Sequence, residues 1–168
     1  MHGAASKYVM DAVAAHRLDR PGVAVLDLGG RNVNGTTRHL FTAPGRYVVV
    51  DIAVHPSVDV VADAADLDLD ETFDIVTCTE CLEHAERAAE IVATAWRHLT
   101  PGGVFVATMA GPGRAEHGAG GQSSPPAGEW YRNVEPDQLT AWLAAAGFQA
   151  WEVDQRGEDV RCTAVRGS

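Results

Sequence analysis

Lysine occurs once in this 168-residue chain, at position 7, and that scarcity closes two common routes to nucleotide chemistry. A Walker loop, G-x-x-x-x-G-K-[ST], needs a lysine to reach the phosphates, and a nicotinamide-dependent reductase of the Tyr-x-x-x-Lys kind needs one beside its tyrosine. Neither can be built here. Basic residues are few altogether: 13 Lys and Arg against 23 Asp and Glu give a formal net charge of −10. That balance opposes binding to duplex nucleic acid, which draws much of its affinity from cations that neutralise phosphates. A small or weakly charged partner is favoured. Cysteine is scarce too, at three residues, and there is neither an apolar run near 18 residues nor a secretory leader, so no membrane span is expected. These absences describe a soluble protein of a reducing compartment, and a cytoplasmic location is the expectation. A chain of this length suits a single domain over 1–168, burying roughly 70% of its unfolded surface without cross-links.

Glycine is plentiful, with 17 residues, but Gly29, Gly30 and Gly35 do not fall at the G-x-G-x-x-G spacing by which a dinucleotide fold seats pyrophosphate on a helix N-terminus. What is present is an apolar strand, Val23 to Leu28, carrying Asp27 and breaking at Gly29-Gly30. Glycines there let the backbone turn sharply and approach a ligand where a Cβ would clash. A second apolar run, Tyr47 to Val50, ends in Asp51, about 20 residues beyond the glycine turn, where an acid is placed to take both hydroxyls of a ribose. These features leave a nucleoside without phosphates.

At this point the chain resembles the class I S-adenosylmethionine-dependent methyltransferases, whose first motif is an acid, a spacer and a glycine-rich turn. The match runs through Asp27, Gly29 and Gly30, then through Asp51 as ribose-binding acid with Ile52 beside the adenine, then through Asp63 and Ala64 near the adenine amine. Phe73 to Cys78 followed by Thr79-Glu80-Cys81-Leu82-Glu83-His84 is similar to the family's fourth strand and its ending, which implies that Thr79 and Glu80 also face the cofactor. Leu99-Thr100-Pro101-Gly102-Gly103 is similar to the turn into its fifth strand. Arg31 stands where many members carry a further glycine. The resemblance implies an α/β, Rossmann-like three-layer sandwich with a mostly parallel sheet, a C-terminal antiparallel hairpin, and S-adenosylmethionine as cofactor.

Periodicity agrees with that architecture. Helical faces fall at 5–18, 85–99 and from Pro136 to Gly147, and apolar runs bounded by turn residues predict strands near 23–28, 46–51, 58–62, 73–78 and 103–109. Phe148 to Asp154 and Val160 to Val165 read as the hairpin. Only about seven residues separate strands two and three, so the fold is expected to be trimmed after each of them.

Residues 110–134, rich in Gly, Pro and Ser, carry no periodic apolar face, and a loop this long at a ligand-binding edge reads as a substrate lid. Arg114, Trp130 and Tyr131 are its candidates for holding a small-molecule substrate. Methyl transfer is an in-line displacement that depends on positioning, and a base is needed only if the acceptor arrives protonated. An imidazole suits that role, which makes His84 and His117 the catalytic candidates; His2, His16, His39, His55 and His98 are assigned to surface or core. Cys78-Thr79-Glu80-Cys81, a C-x-x-C, is set aside as a redox or zinc motif, because Cys78 ends a buried strand and no fourth ligand is evident. No metal is expected. The function expected is methyl transfer to an oxygen or nitrogen of a small molecule, with a cofactor-binding regulatory module lacking turnover as the alternative.

Overall fold

Alternation of apolar residues sets the layers. The computed structural model describes residues 3–168, so His2 lies outside the described residues. In strand β1 (Ala24–Leu28), Val25 faces one way and Leu26 and Leu28 the other, as the two-residue period of a strand requires. Val25 joins Val23, Val49, Ile75, Val104 and Val106 against helix α1 (Gly3–Ala15), whose Val9, Ala12 and Val13 are buried. Leu26 and Leu28 join Val48, Val76 and Phe105 against helices α2 (Ala88–His98) and α3 (Pro136–Ala146). The sheet is thus covered on both faces, which is why its central strands are largely apolar, with Asp27, Thr77 and Thr108 as buried polar exceptions.

The sheet has seven strands in the order β3-β2-β1-β4-β5-β7-β6. Strands β2 (Arg46–Asp51), β3 (Val60–Val61), β4 (Phe73–Thr79) and β5 (Leu99–Ala110) run parallel with β1, while β7 (Asp159–Val165) runs antiparallel between β5 and β6 (Ala150–Arg156). The expected sandwich and closing hairpin are therefore present. Strand order reverses between β1 and β4, and a crevice opens there at the carboxyl ends.

Several expected boundaries shift for physical reasons. The first helix occupies 3–15 rather than 5–18, and the second starts at Ala88, because Leu82–His84 forms a separate 3-10 turn. Strand five starts at Leu99 instead of 103; Leu99 already pairs with Phe73, and the register shifts across the Pro-Gly-Gly turn. The third strand shrinks from 58–62 to two residues. Trimming after β2 and β3 is as expected, but it extends to the β1–β2 crossover, which holds only a 3-10 turn at Thr37–Leu40. Short polar side chains account for it: Asn32 Oδ1 accepts the Gly35 N–H at 3.0 Å and Thr36 Oγ1 accepts the Arg38 N–H at 3.2 Å, local bonds that compete with a helix. Gly147, at φ 101°, ends α3 in the left-handed conformation expected of a helix C-terminus.

Leu143 on α3 is fully buried against the sheet. Leu143→Ala is expected to lower stability by about 3 kcal/mol, measured by urea denaturation.

Candidate active site

The glycine turn after β1 is built around a buried carboxyl. Asp27 is 1% exposed and accepts from three hydroxyls: Thr77 on Oδ1 at 2.8 Å, and Tyr47 and Thr37 on Oδ2 at 2.9 and 3.1 Å. Thr37 and Tyr47 also touch each other at 2.7 Å. Three oxygen–oxygen contacts share two hydroxyl protons, so this ring closes fully only when the carboxyl carries a proton, and burial pushes its pKa up in that direction. Gly30 must be glycine here, because a Cβ would stand 2.6 Å from Asp27 Cγ. Gly29, at φ 67°, leaves no room either: a Cβ would lie 2.3 Å from Cys81 Sγ.

Next to this turn a cavity of about 790 Å³ opens along the carboxyl edge of the sheet, within the usual range for small-molecule sites. Asp27, Gly29, Gly30, Asp51, Ile52, Asp63, Ala64, Thr79 and Glu80, all nine residues read from the sequence as facing the cofactor, line it. Asp51 accepts the Ala53 N–H at 2.9 Å and the Arg31 N–H at 3.3 Å. Ile52 is 75% exposed, an apolar surface left uncovered beside an acid. Glu80 sits at φ 53°, strained for a non-glycine residue. Two bonds to Thr108 offset the strain, one from the Glu80 N–H to its carbonyl at 2.7 Å and one from its hydroxyl to Glu80 Oε1 at 3.0 Å.

Residues 110–134 cross the far side of the cavity. Both ends of the segment are fastened at Glu83, which sequence reading placed in the fourth-strand motif but not among the site residues. Glu83 Oε1 accepts the Ala110 N–H at 3.1 Å, and the Glu83 carbonyl accepts the Arg132 N–H at 2.8 Å. Glu83 is fully buried, and burial together with Glu80 raises its carboxyl to about 8. Arg114, His117 and Glu129 line the cavity from this segment, and Arg31 reaches it from the glycine turn, donating to the Ala119 carbonyl at 3.4 Å. Tyr131 does not line the cavity but stands edge-on to His84 and His117, with ring centroids 5.3 and 5.0 Å away. Trp130 is apart from the other candidates, 40% exposed in a shallow cleft with Leu82 and Trp142.

His84 and His117 meet at 5.0 Å between centroids. Burial, and then His117, lowers the His84 pKa to about 4, so its ring is neutral near pH 7. His84 Nδ1 has no hydrogen bond of normal geometry; Glu129 Oε1 lies 3.5 Å from it. His98 serves the core, its Nε2 accepting the Leu69 N–H at 2.9 Å. Cys78 is buried, and the neighbouring Cys81 thiol and burial raise its pKa, so Cys78 is not the thiolate that redox chemistry needs.

A family model described as a methyltransferase domain matches residues 1–153. No curated protein matches the chain in sequence. Among solved structures, 1,6-didemethyltoxoflavin-N1-methyltransferase from Burkholderia thailandensis, bound to 1,6-didemethyltoxoflavin and S-adenosylhomocysteine, is 21% identical with a TM-score of 0.71 over 98% of this chain and 79% of its own. An S-adenosylmethionine-dependent methyltransferase from Clostridium acetobutylicum has a TM-score of 0.71 at 13% identity, over 97% and 91%. An amino pentose methyltransferase from Micromonospora echinaspora, with S-adenosylmethionine bound, has a TM-score of 0.65 at 20% identity, over 95% and 91%. The fold is that of the class I methyltransferases. The chain belongs to the S-adenosylmethionine-dependent methyltransferase family.

The Asp27 ring makes an ordered prediction. Thr77→Val removes the donor on Oδ1 and is expected to cost about 1–3 kcal/mol. Tyr47→Phe leaves Thr37 on Oδ2 and should cost less, near 1 kcal/mol, in thermal or denaturant unfolding.

Proposed function

We propose that this protein moves a methyl group from S-adenosylmethionine to an oxygen or nitrogen of a small-molecule acceptor. The reading is carried by one observation: a glycine turn that tolerates no side chain, an acid with lone pairs to spare, an uncovered apolar side chain and the Asp63–Ala64 pair share one cavity. Asp51 would take the ribose hydroxyls, Ile52 one face of the base, and Asp63 and Ala64 its amino edge. Glu80 and Thr79 would face the other end. The donor set fits a nucleoside carrying no phosphate, since Arg31 and Arg87 at the rim are already paired with Asp51 and Asp66.

The cofactor supplies a methyl carbon activated by a sulfonium, so the chain's own work is to orient, exclude water and handle a proton. Residues 110–134 act as a lid over the acceptor, with Arg114 and Tyr131 as its recognition residues and His84 and His117 as the pair that activates the acceptor; Trp130, in its separate cleft, is not among them. The lid weighs against a binding module without turnover, which has no use for a long cover on one end of its cavity. Acceptors named for the neighbours, a didemethyltoxoflavin and an amino pentose, support a small acceptor over a macromolecule. The three cysteines are free, which supports a reducing, cytoplasmic setting. The chain is read as one domain.

Calorimetry tests the cofactor. Wild type is expected to bind S-adenosylmethionine and its demethylated product, and Asp51→Ala to bind both at least about tenfold more weakly, since each hydrogen bond to a charged acceptor contributes roughly 1.5–3 kcal/mol. Equal affinity in the mutant removes Asp51 from the ribose. For the acceptor end, His84→Ala and His117→Ala are each expected to lower turnover by about 100-fold while leaving cofactor affinity nearly unchanged, the size usual for lost help with a proton. Loss of cofactor binding in His84→Ala would reassign that ring to the cofactor wall.

A further inference from the structure

One group of donors beside the cavity is more complete than proton handling requires. Glu83, His84 and His117 each place a ligand-competent atom within 4.8 Å of the other two. Two come from the turn after β4 and one from the lid. Glu83 is fully buried; its Oε1 is occupied by the Ala110 N–H, and its Oε2 has no hydrogen-bond partner. An unpartnered buried polar atom is costly, which points to a group that the chain itself does not supply.

His117 Nδ1 lies 3.1 Å from the Ala115 carbonyl, and because a carbonyl only accepts, Nδ1 is the donor there, which leaves the lone pair of the neutral ring on Nε2. His84 Nδ1 faces the Glu129 carboxylate at 3.5 Å, and that carboxylate is held in turn by the Ala119 N–H at 2.6 Å. An imidazole with one nitrogen on a backbone carbonyl is the arrangement that supports metal-ligating histidines, and His117 has it; His84 has a carboxylate nearby but no hydrogen bond on Nδ1. The rings stand at 85° to one another, and Tyr131 packs edge-on against both. The cysteines that first suggested a metal take no part in this set.

We propose that Glu83, His84 and His117 hold a divalent transition ion of the zinc kind, pinning the lid to the turn after β4 and turning an open coordination position toward the acceptor. Two imidazole nitrogens and one carboxylate oxygen form a three-ligand set of catalytic zinc, which keeps its fourth position for water or substrate. Bonds of about 2.0–2.1 Å set tetrahedral ligand atoms about 3.3 Å apart, so the three donors need to draw in by no more than about 1.5 Å. A side-chain rotation of lid-borne His117 supplies movement of that size. A hydroxyl on the open position would ionise more readily. Only this last consequence rests on the methyltransferase reading, and it gives the way in which the histidine pair activates an acceptor.

The test uses the whole protein, stripped with a chelator and titrated with Co²⁺ as the spectroscopic stand-in for zinc. Wild type is expected to bind one equivalent, to develop the visible absorption of four-coordinate cobalt, and to lose it on addition of Zn²⁺. His117→Ala, a change confined to the lid, is expected to weaken binding by more than the 10- to 100-fold that loss of a supporting residue costs. Glu83→Gln keeps the buried volume and should weaken it similarly, with a thermal melt reporting that the variant is folded. Hydrogen exchange across 112–130 should slow on adding Co²⁺ to wild type and stay unchanged in His117→Ala. Absence of the cobalt band, or a band of equal strength in His117→Ala, overturns the proposal. Calorimetry with S-adenosylmethionine on the stripped protein keeps the two readings apart. Cofactor binding without a cobalt site removes only the metal, and a cobalt site without cofactor binding removes only the methyltransferase assignment.

Discussion

The Asp27 carboxyl is the constraint on which this edge of the sheet depends. A carboxyl removed from water is tolerated only when its oxygens are satisfied, and here the three hydroxyls come from β2, β4 and the 3-10 turn that replaces a crossover helix. One buried group therefore sets the spacing of three strands and holds the short crossover in place. It also decides what can follow in sequence, since its Cγ occupies the space that any side chain at position 30 would need. The path of the glycine turn, and with it the near wall of the cavity, follows from that packing.

Glu83 does the corresponding work on the opposite wall. Its side chain and its carbonyl hold the two ends of the long segment between β5 and α3, and the Val134 N–H closes the same junction on the Ala110 carbonyl at 2.9 Å. The segment is irregular through its middle and fixed at its base. That geometry explains how a stretch without regular structure can still bring His117 to within reach of His84. Arg31 adds a lighter tie from the glycine turn to Ala119, so both walls meet across the cavity.

Much of this was legible in the sequence because it depends on local rules. Apolar runs located the strands, Pro136 and Gly147 bracketed α3 to the residue, acids at two strand ends marked Asp27 and Asp51, and the family resemblance supplied the other side chains that line the same cavity. The departures arise where tertiary packing or local polar bonds outweigh pattern. The missing crossover helix follows from Asn32 and Thr36 bonding their own neighbours, and the early start of β5 from a partner strand that continues past a Pro-Gly-Gly turn. Trp130 was a candidate wall of the substrate site because it is an aromatic residue of the same loop, yet only its neighbour Tyr131 reaches the histidines. Glu83 was hidden for a different reason. A carboxylate in a sequence signals solvent or a ligand, and nothing in its spacing announces that a chain will bury it beneath a loop.

The short third strand has a consequence for how the protein behaves among its own copies. A sheet's outer strands present unpaired backbone groups to any passing chain. On one flank β3 offers two residues, too few to template a ladder. On the other, β6 carries Glu152, Asp154 and Arg156 along its length, with Asp154 engaged by Arg156 and Arg161. The same economy that removed helices from the first half of the fold therefore leaves both margins of the sheet poor substrates for edge-to-edge aggregation.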